Sequence, residues 1–552
     1  MRTQGDLDGV ERMAILHKSL LKEMLEVKYE FPEDFFRVAF ESRLFNPKKA
    51  GCRTLGEYTR RAHLSLLVRH AVFPEADQNR RREVVRDTLL MSFNQPSEMA
   101  IDATLEMVDV LMEDEKISSS INKMKDYIEA LLDNRKSVRA LDILRRYARP
   151  RIHEMKNMGE VFTSMSDIDK LLDQFPASFW RDPDVRLLDP SAGLGGFLVK
   201  ARERFMKGLN LVIPDEKERW QHITRRQLFA VEINPENAAI LGRVLGYSRN
   251  ILCRDALDPN LRLGFFDAVV GNPPFEGVQE KTTRRRGGAS LWPHFVRRAF
   301  QDWMHPGSYL AMLLPPGWRK PCLGRCRESG LWQLMTETNT THFIDMNNDA
   351  KDEMRVSIQY DLVVCQKGRG RPNPTTVVVD RHGVTSRFNL KQWPFLPNGH
   401  FDSIWKMMAR PGEATAQLLY STSAYDSRKP YISTTRTPVF RYPVVHSILK
   451  DGKANLRWSS RNDLGLFGEK KVILNGYGGF NPPILDADGE YGMSQNAYAL
   501  RIQNTAEGRA MVQFFNRPDV KKVFNDLQWS TSEPRWAQKM FLFFRRDFFR
   551  HI

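Results

Sequence analysis

Apolar positions fall into two regimes along the chain. Through residues 1–150 they recur at helical spacing. Ile121, Met124, Ile128 and Leu131 share one face, with Ser118 to Ser120 offering N-caps ahead of them. Leu89, Leu90 and Met91, then Met99, Leu105, Val108 and Leu111, predict two earlier helices, punctuated by Pro32, Pro74 and Pro96. Further on, short aromatic and β-branched runs stop at turn residues, as strands do. Arg186 to Asp189 predicts a strand that runs into a glycine-rich turn, with a helix from about Gly196. Leu228 to Glu232 and Leu252 to Cys253 predict two more. Phe265 to Val270 predicts a buried central strand, ended by Gly271 and held by Pro273 and Pro274.

Chemistry collects where these strands end. The first is followed by Asp189-Pro190-Ser191-Ala192-Gly193-Leu194-Gly195-Gly196, a loop whose glycines let backbone approach a ligand closely. Its acid suits a cationic ligand end rather than a phosphate. The second strand ends in Glu232, well placed for ribose hydroxyls, and the third leads to Asp255. The fourth runs into Asn272-Pro273-Pro274-Phe275. The prolines carry no N–H, so the Pro273 carbonyl and the Asn272 side-chain oxygen are two converging acceptors. Such a pair suits an exocyclic NH2, and the Phe275 ring suits a planar base. Two acceptors on an aromatic amine draw it towards sp3 geometry and free its lone pair for attack.

These residues, in this order, resemble the gamma class of N6-adenine DNA methyltransferases, which use S-adenosylmethionine (SAM). The resemblance covers roughly residues 155–366. It implies a Rossmann-like sheet, mostly parallel, with helices on both faces. It further implies Asn272, Pro273, Pro274 and Phe275 as the catalytic turn. Phe162, Thr163, Asp189, Ser191, Gly193, Gly195, Glu232, Ile233, Asp255, Ala256 and Asn272 are implied as cofactor contacts. Met158 to Thr163 resembles the family's cofactor-closing segment, with Ser164 where a proline is usual. Tyr360 is a candidate to flank a flipped base. Similar turns also serve rRNA guanine and protein glutamine methylases. An RNA base methyltransferase and an inactive nucleic-acid-binding homologue are therefore the alternatives.

Composition sharpens the partner. The chain has 552 residues, 41% of them hydrophobic, and a net charge of +16. That charge favours a polyanion, here double-stranded DNA. The basic loop with Lys281, Arg284, Arg285 and Arg286 follows the catalytic turn and predicts a phosphate clamp; Lys470 and Lys471 predict further DNA contacts. A cognate restriction endonuclease or other subunit fits the family as a partner. Three domains are predicted: helical over 1–150, catalytic over 151–366, and an α+β target-recognition domain over 367–552. Glu26-Val27-Lys28 has nuclease-like spacing but helical surroundings, and Arg80 to Arg82 with Arg86 form the first domain's basic cluster. Five cysteines imply a reducing compartment, and Cys322 with Cys326 lacks a second pair at zinc spacing, so no metal is expected. No apolar run reaches membrane-spanning length and no signal peptide is visible, which predicts a cytoplasmic protein in a bacterial, archaeal or virus-infected cell.

Overall fold

The computed structural model describes residues 163–275, 290–320, 330–347, 359–368, 375–421, 423–476, 481–529 and 538–552, with scattered positions between 82 and 141. The chain divides into two compact units, Met1–His305 and Pro306–Ile552.

In the first unit, every described position from Arg82 to Leu141 is helical. Ser118 and Ser119 belong to helix rather than capping it, since Glu115 and Ile121 on either side are helical too. Arg82 and Arg86 pair with Glu98, and Arg82 also with Asp102. Half of the expected basic cluster is therefore charge-compensated. Leu105 is helical and half-buried and Ile121 helical and buried; the other helix-marking residues of this region, and Glu26 to Lys28, lie outside the described residues.

Four strands follow: β1 (Leu187–Asp189), β2 (Leu228–Glu232), β3 (Ile251–Cys253) and β4 (Phe266–Gly271). They lie in the order β3-β2-β1-β4. All are parallel, with Leu187 opposite both Leu228 and Ala268. Leu187, Leu188, Ala268, Val269 and Val270 are buried, as a sheet covered on both faces requires. Strand order reverses at β1, so the carboxyl ends of β1 and β4 form a topological switch point, where open α/β sheets take ligands. Register between these two strands is held by Asp267, which accepts from the Arg186 N–H at 2.8 Å and lies 2.9 Å from His305 Nε2. The Arg186 guanidinium rests over the rings of Phe229 and Phe266, 4.6 and 4.8 Å from their centres.

Helices connect the strands: α1 (Met165–Leu172), α2 (Gly196–Gly208), α3 (Glu216–His222), α4 (Pro235–Leu245) and, after β4, α5 (Trp292–Arg298). Ser164 caps α1, its hydroxyl accepting the Asp167 N–H at 3.0 Å. That is a use for serine where the family favours proline. The connection around residues 205–226 is exposed from Asn210 to Glu218, half-buried Ile213 apart, and packs at its two ends. Phe205 is buried against Trp180, and Arg202 stacks 3.9 Å from the Trp220 ring while donating to the carbonyls of Val244 and Leu245.

The second unit takes up the chain within β5 (Met304–Leu314) and adds β6 (Thr340–Asp345) and β7 (Asp361–Gln366). β7 runs antiparallel to both β5 and β6. The sheet continues past β7: β8 (Thr376–Val379) pairs parallel with β6 and β9 (Thr385–Phe388) pairs with β8. Val377 and Val379 alternate with Thr376 and Val378 in burial, the pattern of a strand with one open face. Beyond lie α6 (Phe401–Met407) and β10 (Leu418–Leu419), β11 (Ile432–Ser433), β12 (Tyr442–Ile448) and β13 (Ala454–Ser459). β14 (Lys471–Asn475), β15 (Ile484–Asp486), β16 (Gly492–Met493) and β17 (Ala497–Arg501) follow, then α7 (Thr505–Asn516) and α8 (Pro518–Asn525). The strands form two four-stranded sheets, β10-β17-β14-β15 and β11-β13-β12-β16. Val445, Ile448, Ile473, Met493, Ala497 and Ala499 from both sheets share one core. Mixed strands and helices are what an α+β region predicts.

One buried ion pair organises the middle of this unit. Arg319 donates to both Asp361 oxygens, at 2.6 and 2.9 Å, and to Leu396 O, Pro397 O and Asn398 Oδ1. Trp318 Nε1 donates to the same carboxylate at 2.8 Å. Asp361 still titrates above the ordinary range, because burial outweighs the Arg319 charge. Arg319→Met should therefore cost about 3–5 kcal/mol in urea unfolding, while Arg319→Met with Asp361→Leu should recover most of it. Equal losses in both variants would show that the pair is not the source.

Candidate ligand site at the switch point

Three acids and a proline turn meet at the carboxyl edge of the four parallel strands. Asp189 ends β1 with 1% of its surface exposed. One backbone donor serves it: the Ser191 N–H reaches Oδ1 at 3.1 Å. Burial pushes its carboxyl up to about 8; the Ser191 N–H works against this and the neighbouring Glu232 charge adds to it. An acid so placed is short of positive charge. The Ser191 hydroxyl beside it is buried and has no hydrogen-bond partner among the described residues.

Glu232 ends β2, next in the sheet. Its Oε2 accepts from Gly193 N and its Oε1 from Asn234 N, both at 2.7 Å. Burial raises this carboxyl too, opposed by the N–H groups of Asn234, Gly193 and Ile233 and by the Asn237 side chain. The acid thus ties the glycine loop to its own strand, and any ribose would share oxygens that backbone amides already use. The Ala192 N–H completes the tie by donating to Val231 O at 3.1 Å. Gly193 has φ +52, and a side chain there would meet nothing within 4 Å, so the loop presents bare backbone to open space. Ile233, next to Glu232, is 55% exposed, an apolar side chain at the lip of this space. The helix predicted from Gly196 begins there as α2.

Asp255 follows β3 and is exposed, its Oδ1 accepting the Leu257 N–H at 2.8 Å; Ala256 is buried. The Arg254 N–H donates to Glu232 O at 3.1 Å, which brings this turn beside the second acid. A residue without local signal holds the turn from below. Arg298 of α5 donates to Ala256 O and Asp258 O, both at 2.7 Å, and to Leu261 O at 3.1 Å. Its partners lie some forty positions away, so no spacing rule points to them.

Asn272, Pro274 and Phe275 are half-buried and Pro273 is buried, directly after β4. The Leu291 N–H donates to Phe275 O at 3.3 Å, joining the start of α5 to the turn. The contact that unites loop and turn is made by Gly271. It has φ +153, and an added Cβ would lie 2.8 Å from Asp189 Oδ1 and 3.4 Å from Ser191 Oγ. The end of β4 therefore forms one wall of the pocket that holds Asp189. A central glycine before a proline turn was visible in sequence; what it touches was not.

The remaining candidates divide. Thr163 is buried just ahead of the Ser164 cap, whereas Phe162, Lys281, Arg284, Arg285 and Arg286 lie outside the described residues. Tyr360 is buried immediately before β7 in the second unit, and Lys470 is exposed there. Lys471 corrects the expectation of a DNA contact. It is fully buried, with Nζ 2.5 Å from Asp486 Oδ2 and also donating to Leu466 O and Glu469 O. Lys471 is the first residue of β14, a strand buried along its whole length, whereas the exposed Lys470 lies just before it. Among the described cysteines, Cys253 and Cys365 are free thiols as expected, and burial pushes Cys365 up to about 12. No helix among the described residues is long and apolar enough to cross a membrane.

No known family profile matches the chain. Over 96 residues it is 34% identical to an uncharacterized adenine-specific methylase of Mycoplasma pneumoniae, a match that takes in 16% of this chain and 23% of that one. The chain thus spans about a quarter of that relative's length. Among solved structures it is similar to a type I restriction-modification methyltransferase subunit from Streptococcus thermophilus, at 12% identity over 66% of this chain and 87% of that one, TM-score 0.32. A nuclease-deletion mutant of the Type ISP restriction-modification enzyme LlaGI, in complex with a DNA substrate mimic, is 11% identical over 96% of this chain and 65% of that one, TM-score 0.45. The Type IIL enzyme MmeI in complex with DNA is 12% identical over 91% and 83%, TM-score 0.41.

The Gly271 contact can be tested without any ligand. Gly271→Ala should lose about 1–3 kcal/mol from backbone strain alone, and more if Asp189 must move. Thermal unfolding reads this directly, and an unchanged midpoint would remove the close approach.

Proposed function

We propose that the chain is a SAM-dependent DNA methyltransferase acting on N6 of a flipped-out adenine. The observation that carries this is the contact of Gly271 with Asp189 and Ser191, which sets the Asn272-Pro273-Pro274-Phe275 turn against the glycine loop. A methyl donor and a methyl acceptor need such adjoining seats, since in-line transfer requires reacting atoms about 3–3.5 Å apart. The stretch of likeness to an adenine-specific methylase supports the same reading.

The residues present fit the cofactor. Among the described residues, Asp189 meets no positive charge, Ser191 Oγ has no partner and Gly193 faces open space. When bound, SAM supplies a methyl group on a positively charged sulfur. Asp189 would hold the cationic methionine end, with Thr163 and Phe162 closing over it. Glu232 would share its oxygens between the Gly193 amide and the ribose hydroxyls, Ile233 would cover the adenine ring, and Asp255 would accept from its amine. On the substrate side, Asn272 Oδ1 and the Pro273 carbonyl would accept the two hydrogens of the target amine, raising its nucleophilicity without a strong base. Phe275 would stack on the extruded base, which leaves the duplex because N6 cannot be reached within it.

A net charge of +16 and the sheet β11-β13-β12-β16 support a DNA substrate. Arg436 stands 5.0 Å from the Trp458 ring, Arg441 5.0 Å from Tyr442, and Arg461 5.7 Å from Tyr431. Cations beside aromatic rings are what a surface needs to meet phosphates and bases together. Residues 281–286 would add phosphate contacts.

Labelled SAM offered with unmethylated DNA, RNA and protein tests the assignment. The expected product is N6-methyladenine in DNA, lost in Asn272→Ala, which should keep SAM affinity within about threefold. Label in RNA or protein would overturn the substrate, and loss of SAM binding in Asn272→Ala would overturn that residue's role.

A pH prediction follows from Asp189. Its carboxyl is protonated below about pH 8 in the protein alone, and a cation binds the ionised form. SAM affinity should therefore rise about tenfold per pH unit up to about pH 8 and level off above. Calorimetric titration from pH 6 to 9 reads the slope, and Asp189→Asn should flatten it. A flat wild-type profile would separate Asp189 from the cofactor.

A further inference from the structure

Far along the chain from these acids, three side chains in the second unit converge on one point. His382 lies in the turn between β8 and β9, His400 precedes α6, and Asp526 follows α8. His400 Nδ1 is 2.6 Å and His382 Nε2 3.1 Å from the same oxygen, Asp526 Oδ2. All three donor atoms lie within 4.8 Å of one another. The other oxygen, Oδ1, is held by Arg381 Nη1 at 3.1 Å. Two imidazoles and a carboxylate oxygen are a ligand set for first-row divalent metals.

We propose that His382, His400 and Asp526 bind one such cation, with Zn2+ the first to test. In tetrahedral zinc, bonds of about 2.0–2.1 Å put ligand atoms about 3.3 Å apart. The Nε2–Oδ2 spacing is within a few tenths of an ångström of that, and the Nδ1–Oδ2 spacing must open by somewhat more.

Three features set this cluster apart from a chance hydrogen bond. Asp526 is only 2% exposed and caps the C-terminus of α8, where the helix dipole disfavours an anion, so the position calls for positive charge. His400 adopts φ +50, a left-handed conformation rare for a residue with a side chain, and thereby directs its ring onto Asp526. Gly399 before it has no room for a Cβ, which would lie 2.5 Å from Asp526 Oδ2 and 3.0 Å from His382 Cδ2. The backbone is thus shaped to bring donors from three segments together. Arg381 fixes the carboxylate from its outer side, as groups behind a metal ligand do. The His382 side chain is half exposed, which leaves an entry path and a further coordination position open to water. A bound ion would staple the β8–β9 turn and the start of α6 to the end of α8.

The test uses untagged full-length protein, stripped with chelator and then titrated with Zn2+ against a chromophoric competitor, with metal content read by mass spectrometry. The expected result is one tight equivalent and a rise of several degrees in the unfolding midpoint. His382→Gln is the deciding variant, because glutamine can still donate to Asp526 but lacks the imidazole ligand. It should fold, and its affinity for that equivalent should fall at least tenfold; Asp526→Asn should do the same. Equal zinc binding by wild type and His382→Gln, or no zinc bound by either, would overturn the site and leave a hydrogen-bonded cluster.

Discussion

The first unit depends on a buried carboxylate that its own fold leaves uncompensated. Asp189 sits at the end of a strand covered on both faces, with one backbone N–H to oppose the cost of burial. Such an acid destabilises the folded chain unless it is protonated or meets a cation. The surroundings are arranged to keep it there. Asp267, Arg186 and His305 hold β1 beside β4, and Gly271 lets β4 pass within contact of the acid. Stability given up at one group is recovered in the apolar strands around it, which is how fold and binding chemistry are reconciled.

Glu232 solves a different problem. The glycine loop must be open enough to admit a ligand yet fixed enough to bind one. Gly193 contributes the openness; its N–H, bonded to Glu232, contributes the fixity. The same carboxylate also receives the Asn234 N–H at the start of the next helix. One side chain thus sets the geometry of the loop before it and the turn after it. Loss of its charge would loosen both.

Much of the site was legible in sequence because its parts are local. A strand ending in an acid, a glycine turn and a helix start are written in adjacent residues, and β2 and α2 begin where the pattern puts them. The proline turn after β4 was equally plain. What could not be read was contact across the chain. Arg298 reaches carbonyls of a turn far upstream, and carbonyls have no sequence signature. Lys471 looked like a surface cation because Lys470 is its neighbour, and its burial rests on a partner fifteen residues on, Asp486 across the β14–β15 pair. β8 and β9 lie beyond residue 366, and their place in the sheet is set by pairing with β6, which no local signal marks.

Charge placement links the two units by a common physical rule. In each, a buried acid stands at the end of an element, and the elements around it converge there. Asp361 meets a guanidinium on both oxygens, so the pair is structural even though burial still outweighs that charge. Asp526 meets Arg381 on one oxygen and two imidazoles on the other, donors that a metal can take over. Asp189 accepts from one backbone amide among the described residues and meets no cation there. Burial with so little compensation favours either the protonated acid or a cation brought by a ligand, which is why the carboxyl end of β1 is read as a binding position.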